Sequence, residues 1–375
     1  MKNILIYQRV LPHYRISFFQ ALSDFLKEKD ITLKVVVGYE REGTVPKTVL
    51  VDKPWVEYRK NNYVNLFGRE LVFQRFLLSD LKFDGIITEQ SNRLFLNYVL
   101  FLLSVVGLCK VAYWGHGKNY QSNKPSGFRE RFKCFFSKWV DWWFAYTVES
   151  GKYIESIGYS KERITSVSNS IDTRALTTEL ERLKGIDCFH PTLHSECIRR
   201  GIYCGGMYPE KKLGFLFLAL DEIKTQYPEF EFTFIGSGPD EVQVQYFCAE
   251  RHWCEYLGPI TDLSRVKYFL AADVFLMPGL VGLAVLDSFA LETPMVTTDI
   301  KMHSPEIEYL VDGLNGVVTH DDVGDYAKSV VSLLKNKETL ESLKSGCRDS
   351  AKYFTVENMA NNFSSGVIEW MELEH

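Results

Sequence analysis

Leu280–Asp299 reads LVGLAVLDSFALETPMVTTD. A turn, an amphipathic helical pattern and a short β-rich run follow one another in it. Gly282 stands where the helix opens, a single acid, Asp287, comes about one turn later, and Pro294 precedes the run MVTT. A helix that only packs against a sheet needs neither that glycine nor that acid. A helix whose first turn approaches a phosphorylated ligand uses both. Glycine lets the backbone come close, and the unpaired N–H groups of a helix start carry partial positive charge.

The same alternation extends outward on both sides. Upstream come the strand patterns GIYCGG, EFTFIGSG, CEYLGPI and DVFLMPG, separated by the helical patterns GFLFLALDEIKTQ and LSRVKYFLAA. Downstream the tail reads as helices to the end. The first half repeats the pattern with NILIYQ, ITLKVVVG, DGIITEQ, KVAYWG, WWFAYTVES and ITSVSNS as strands. RISFFQALSDFLKEK puts Ile16, Phe19, Leu22, Phe25 and Leu26 on one helical face. Strand–helix alternation of this kind implies parallel sheets covered on both faces. From Asp172 to about Arg200 the pattern weakens around charged residues and Pro191. The expected fold is therefore α/β: two Rossmann-like, doubly wound domains facing a cleft. They occupy 1–172 and 201–354, with a connection over 173–200 and a last helix over 355–375.

A chain of 375 residues, 46% hydrophobic and 24% charged, has enough apolar side chains for two cores. Its net charge of -5 gives no general attraction to nucleic acid, so an anion site must be local. MKNILIYQRV reads as a buried first strand rather than a secretory leader. The longest apolar run, Tyr98–Cys109, is too short to span a membrane and reads as a buried helix. Eight cysteines without a C-x-x-C pair read as reduced residues of a cytoplasmic protein, not as a disulfide frame or zinc site. No metal and no bound cofactor are expected.

In open parallel sheets, ligands bind beyond the carboxyl ends of the strands. Four loops of the second half end strands with small residues. They carry Gly205, Gly206, Lys211 and Lys212; Gly236, Gly238 and Pro239; Gly279 and Gly282; and Ser304 and Glu306. None is a Walker A loop, and the first strand is not followed by G-x-G-x-x-G, which argues against a dinucleotide enzyme. Four such loops at successive strand ends suit a diphosphate.

These loops, taken in order, resemble the donor domain of GT-B fold glycosyltransferases of family 4, the retaining group that uses nucleotide sugars. YCGGMYPEKKLGFLFLAL is similar to that family's Tyr-Val-Gly-Arg-Leu, three residues, Lys-Gly. FIGSGPD is similar to its Gly-x-Gly-Pro turn. LVGLAVLDSFALETPMVTTD is similar to Phe-Gly-Leu, three residues, Glu-Ala-Met-Ala, x-Gly-x-Pro-Val. SPEIEYLVDGLNGVVT is similar to the Pro-Glu-Ile segment that follows. WGHG, PHYRISFFQAL and ESGKYIESIGYSKERITSVSNSIDT have counterparts in the first half, so the resemblance covers nearly the whole chain.

The resemblance implies roles residue by residue. Lys211 would place a point charge on the donor diphosphate. Gly205, Gly206, Gly236, Gly238 and Gly282, with the amides of Leu283 and Ala284, would cradle it, and Asp287 would accept from the ribose. Glu306 would face the donor sugar, with His303 and Ser304 as weaker candidates. His116 would orient the donor sugar or an acceptor hydroxyl. His13, Arg15, Glu89 and Asn92 fall on the acceptor side, and Asn169 belongs to a hinge segment. Two departures stand out: Gly206 replaces the family arginine, and Gly279 replaces the first of its two glutamates.

Phe128, Phe132, Phe135, Phe136, Trp139, Val140 and Trp143 recur at helical spacing beside Arg129, Arg131, Lys133 and Lys138, with Lys118 and Lys124 upstream. Aromatics beside cations suit an anionic membrane surface, so 118–143 is a candidate for peripheral contact. The expected activity is transfer of a sugar, with retention, from a nucleotide sugar to a glycan or lipid-linked acceptor in cell-surface polysaccharide synthesis. The alternatives are a nucleotide-sugar epimerase of the same fold and a non-catalytic nucleotide-sugar-binding subunit.

Overall fold

The two halves of the chain build separate parallel sheets. The computed structural model describes residues 1–43, 48–66, 68–117, 138–186 and 198–373. It divides into a first unit, Met1–Asp172 with Val356–His375, and a second, Thr173–Thr355.

In the first unit the strands are β1 (Lys2–Gln8), β2 (Ile31–Val37), β3 (Val56–Tyr58), β4 (Asn62–Leu66), β5 (Arg69–Phe73), β6 (Gly85–Glu89), β7 (Val111–Gly115), β8 (Trp142–Ala145) and β9 (Ile164–Ser166). Seven of them form one sheet in the order β3-β2-β1-β6-β7-β8-β9, and all six neighbouring pairs run parallel. β4 and β5 make a separate antiparallel hairpin. Ile4–Tyr7 of central β1 are fully buried, which is why that strand reads as an unbroken apolar run. One face of the sheet is covered by α1 (Ile16–Lys27) and, from the far end of the chain, the last helix (Val356–Glu372). Phe18, Phe19, Leu22 and Leu26 share a core with Met359, Phe363, Val367 and Trp370. The other face takes α2 (Leu96–Val105) and α3 (Val148–Ser156), whose start is capped by the Thr147 side chain.

The second unit begins with α4 (Arg174–Lys184). β10 (Arg199–Cys204), β11 (Phe230–Ile235), β12 (Cys254–Tyr256), β13 (Val274–Leu276), β14 (Met295–Thr298) and β15 (Gly316–Thr319) follow. The interleaved helices are α5 (Leu213–Gln226), α6 (Glu241–Ala249), α7 (Val266–Ala271), α8 (Ala284–Ala290), α9 (Val323–Lys335) and α10 (Lys337–Tyr353), and the last helix of the chain is α11. The strand order is β12-β11-β10-β13-β14-β15, all parallel. This is the Rossmann order. After β10 the chain first builds outward through β11 and β12, then returns to the other side of β10 with β13. Loops leaving β10 and β13 in opposite directions open a crevice at that switch point.

Several expectations need correction. The described part of 173–200 is no simple connection, because α4 buries Leu176, Leu180 and Leu183 within the second unit. The apolar run 98–109 is not buried throughout. Leu96 and Leu100 face the sheet, whereas Leu102, Val105, Val106 and Leu108 are 64%, 67%, 66% and 55% exposed. The run is apolar all round, and the sheet takes only one of its faces. Trp143 does not continue an amphipathic helix, since it is fully buried in β8, and Val140 is buried just before it. Most of that candidate membrane stretch, 118–137, lies outside the described residues. β3, the β4–β5 hairpin and β15 were not legible as strands, being short and, in β4, mostly exposed. Among the described residues no helix is long and apolar enough to cross a membrane.

Candidate functional site

The four candidate loops of the second unit, three of them bearing glycine, leave the carboxyl ends of β10, β11, β13 and β14, and they are bonded to one another. The Met207 N–H donates to Ser237 O at 2.9 Å, joining the loop after β10 to the loop after β11. The Leu280 N–H donates to Glu210 O at 2.8 Å, joining the loops after β10 and β13 across the switch point. The Thr298 Oγ1 hydroxyl donates to Pro278 O at 2.7 Å, and the Val281 N–H donates to His303 Nδ1 at 3.3 Å, tying in the loop after β14. Gly205, Gly236, Gly238, Lys211, Gly282 and Glu306 thus belong to one edge of one sheet.

Lys211 is the only lysine among the buried polar residues of this unit as described, at 5% exposure. It closes a 3-10 turn, Pro209–Lys211, ahead of α5. Its ammonium donates to Leu280 O, touches Val281 O at 3.5 Å and Met277 Sδ at 3.4 Å, and stands 5.5 Å from the Tyr208 ring. Burial pulls its pKa down to about 8, since carbonyls and a thioether replace water. The resemblance implied a cation beside a glycine loop, set to place its charge on the donor diphosphate. The chain instead folds that cation beneath the 278–282 turn, where it satisfies the carbonyls of the turn from within.

Gly279 and Gly282 differ in what they require. A Cβ on Gly279 would lie 2.4 Å from Glu210 O and 2.4 Å from the Lys211 carbonyl carbon, so any side chain there would force the backbone to shift. The carboxylate missing from this position cannot be accommodated by this backbone. Gly282 has φ +59, a left-handed turn that favours glycine, and its Cβ position faces Ser304 Oγ at 3.8 Å. A Cβ on exposed Gly206 would meet only the Tyr208 ring edge, at 2.7 Å.

Asp287 lies in the first turn of α8, largely buried, and Arg265 Nη2 donates to its Oδ1 at 3.3 Å. Burial raises the Asp287 pKa, and the Arg265 charge opposes the rise. Both groups act on the Cys204 thiol at the end of β10, whose pKa burial pushes up to about 12. Asp287 therefore sits near the Gly205 turn, already holding a cation. The half-buried residues Leu283 and Ala284 open α8 ahead of it. Glu306 is 3% exposed in the turn Pro305–Tyr309, with Ser304 before it. Arg265 and the structural part played by His303 were missed by sequence reasoning. Arg265 sits in a helix start with no glycine motif, and nothing local signals that its side chain meets α8.

The first unit gathers its own candidates at the carboxyl edge of its sheet, around β1, β6 and β7. The Arg9 N–H donates to Glu89 Oε1 at 2.9 Å, and burial raises the pKa of that half-buried carboxyl. Gln90 Nε2 donates to Gly117 O at 3.2 Å, which links the loop of Glu89 to that of His116. The His116 ring meets Tyr146 edge-on at 4.2 Å. His13 and Asn92 are exposed. Arg15 is buried. Its Nη2 donates to Asn169 Oδ1 at 2.8 Å and its guanidinium lies 4.9 Å from the Trp114 ring, a placement that fastens α1 to the Asn169 segment.

A cavity of about 800 Å³ in the second unit is lined by Lys184, Arg199, Glu292, Lys344 and Arg348. These residues lie at the amino ends of the strands, opposite the glycine loops. Among the described residues no group of three or more His, Cys, Asp or Glu side chains is arranged to hold a metal ion.

Residues 199–336 match the family model "Glycosyl transferases group 1". The chain is 24% identical over 159 residues to alpha-monoglucosyldiacylglycerol synthase of Acholeplasma laidlawii. That match covers 41% of this chain and 39% of the relative, so the chain spans about two-fifths of the curated relative's length. Anabaena Alr3699/HepE, solved in complex with UDP, superposes with a TM-score of 0.66 at 14% identity, covering 98% of this chain and 100% of that one. The same protein has also been solved with UDP-glucose. Sucrose-phosphate synthase of Thermosynechococcus elongatus superposes with a TM-score of 0.66 at 14% identity, over 97% of this chain and 98% of that one. The fold is that of the GT-B glycosyltransferases, with two Rossmann-like units, and the match to the glycosyltransferase group 1 model lies within the second unit.

Proposed function

We propose, from the match of residues 199–336 to the glycosyltransferase group 1 model, an enzyme that moves a sugar from a nucleotide sugar to a glycan or lipid-linked acceptor, with retention of configuration. The observation that carries this reading is the bonding of the loops after β10 and β13 across the switch point, with the Lys211 ammonium beneath them. The donor diphosphate lies against Gly205, Gly206 and the Gly236–Gly238 turn on one side and Gly282, Leu283 and Ala284 on the other. Lys211 supplies positive charge to the leaving diphosphate, where charge develops as the glycosidic bond breaks. Asp287 accepts from the ribose and Glu306 from donor hydroxyls. His116, His13, Arg15, Glu89 and Asn92 serve the acceptor side. The acceptor oxygen bonds to the anomeric carbon on the face the diphosphate leaves, and its proton passes to a diphosphate oxygen. No metal takes part.

The relative named for a glucosyl lipid supports an acceptor that is lipid-linked, and the neighbour solved with UDP-glucose supports a uridine donor. Peripheral contact with the cytoplasmic face of a membrane through 118–143, and a part in cell-surface polysaccharide synthesis, belong to the same reading.

A panel of UDP-, GDP-, ADP-, CMP- and dTDP-sugars in a thermal-shift assay tests it, because a ligand that binds the folded state raises Tm by mass action. One nucleotide class should stabilise the chain, and its sugar should appear on an acceptor with the donor's anomeric configuration. A flat panel sinks the proposal. A second reading, a nucleotide-sugar-binding subunit without turnover, is favoured by Gly279, where backbone packing leaves no room for the first of the two carboxylates. Stabilisation without transfer or epimerisation, across a full acceptor screen, would select it.

A further inference from the structure

Two thiols of the second unit face each other away from the glycine loops. Cys248 lies in the last turn of α6 and Cys254 opens β12. Their sulfurs are 3.1 Å apart, in a thiol–thiol hydrogen bond. The backbone between them holds that approach. The Arg251 N–H donates to Cys248 O at 3.0 Å, and the Cys254 N–H donates to Arg251 O at 2.9 Å. The Arg251 guanidinium grips Asp221 through Nε and Nη2 at 2.7 and 2.9 Å and lies 3.9 Å over the Phe247 ring. The turn that carries both thiols is thus fastened on both sides.

The two sulfurs are not equivalent. Cys248 is half-buried, and Cys254 is buried. The hydrogen bond with Cys254, and the Arg251 charge nearby, hold the Cys248 thiol below its ordinary pKa. The same bond and burial push Cys254 well above. One sulfur is reachable and more easily ionised, and its partner waits behind it, the arrangement of an attacking and a resolving thiol.

We propose that Cys248 and Cys254 form an oxidisable dithiol, a covalent modification site whose co-reactant is a hydroperoxide. The Cys248 thiolate attacks the terminal peroxide oxygen. The O–O bond breaks, an alcohol or water leaves with the Cys248 proton, and the sulfur becomes a sulfenic acid. Cys254 then attacks the Cys248 sulfur, the S–O bond breaks, and water leaves with the Cys254 proton. Two thiols have lost two electrons and the peroxide has gained them. The sulfurs need to close from 3.1 Å to about 2 Å. The new bond ties α6 to the edge strand β12. Both border the Gly236–Gly238 turn: α6 follows it, the Tyr256 hydroxyl donates to Gly236 O at 3.0 Å, and the Gly236 N–H donates to Gly258 O at 2.9 Å.

The test uses the full chain, reduced, freed of reductant and treated with a small excess of hydrogen peroxide. Remaining thiols are capped with N-ethylmaleimide before non-reducing tryptic digestion. Cleavage after Lys224, Arg251 and Arg265 puts the two cysteines on separate peptides, 225–251 and 252–265. The expected result is one linked species two hydrogens lighter than the pair, split by dithiothreitol, with loss of both maleimide sites. Cys254→Ser should stop at a sulfenic acid on Cys248 that dimedone traps, and Cys248→Ser should leave Cys254 capped and unoxidised. Both peptides capped in the treated wild type, separate over-oxidation, or linkage of Cys248 to another cysteine would each overturn the proposal. Far-UV circular dichroism of the variants checks that they fold, and the wild-type digest decides the matter without them.

Discussion

The His303 ring holds the Val281 amide: its Nδ1 accepts that N–H at 3.3 Å while its Nε2 sits 2.7 Å from Thr298 O. A backbone amide can only donate, so Nδ1 is the acceptor and Nε2 carries the proton that Thr298 O receives. The ring is therefore neutral, and burial, with Lys211 adding like-charge repulsion, lowers its pKa. A depressed histidine pKa means the unfolded chain takes up the proton first. Stability is full above about 6.5 and is lost as pH falls from there toward the folded value. His303→Asn offers a carbonyl oxygen and an N–H but does not titrate. It should flatten the fall of Tm between about pH 6.5 and pH 5, and His303→Ala should cost about 1–3 kcal/mol at neutral pH. Identical acid limbs in wild type and His303→Asn would remove His303 from the account.

Lys211 should behave in the opposite pH range. Its folded pKa of about 8 lies below the ordinary lysine value, so between the two the unfolded state binds more protons and wild-type stability rises with pH. Lys211→Met carries no such charge. The wild type should gain on it by about 2–3 kcal/mol as pH goes from about 8 to 10.5. Denaturant midpoints across that range measure the gain, and parallel curves would contradict it. Turnover of Lys211→Ala should fall at least about tenfold, or about 1.4 kcal/mol of transition-state stabilisation.

The two glycines that replace charged family residues should respond differently. Gly279→Ala puts a methyl 2.4 Å from backbone atoms of Glu210 and Lys211, which should cost about 1–3 kcal/mol. Gly279→Glu should lower Tm further and restore nothing. Gly206→Arg has only the movable Tyr208 ring in its way and should keep Tm within a few degrees. Equal tolerance at both positions would refute the steric reading of Gly279.

Asp287 meets Arg265, so under the proposed function a donor ribose would compete with the guanidinium for one carboxylate. Arg265→Met should lower Tm without donor yet leave the donor-induced shift at least as large as in the wild type. Asp287→Ala should abolish most of that shift. If Arg265→Met loses the shift and Asp287→Ala keeps it, the assignment is reversed.

Glu292 occupies a left-handed position, φ 52, where the family motif has glycine. Two cations hold it: Lys184 Nζ at 2.7 Å and Arg348 Nη1 at 2.7 Å. Glu292→Ala keeps the backbone strain and loses both partners, whereas Glu292→Gly relieves the strain. The glycine variant should be more stable than the alanine variant by about 1 kcal/mol, read from denaturant midpoints. The reverse order would mean the turn is not strained.

The alternation of strand and helix, read from residue order alone, determined two parallel sheets and placed Gly205, Gly236, Gly282 and Ser304 at strand ends. Those signals are local. A run such as Ile4–Tyr7 or a face such as Phe19, Leu22 and Leu26 records which side of its own element is buried. Only the tertiary structure decided that Lys211 lies inside rather than on the surface, that Asp287 meets Arg265, and that His303 holds Val281. It also decided that Leu102, Val105, Val106 and Leu108 of the apolar run 98–109 stay exposed and that Gly279 has no room for a carboxylate. Each of these depends on which distant segment packs against a residue. Side-chain periodicity says that a face must be covered, and the strand order at the β10–β13 switch point says by what.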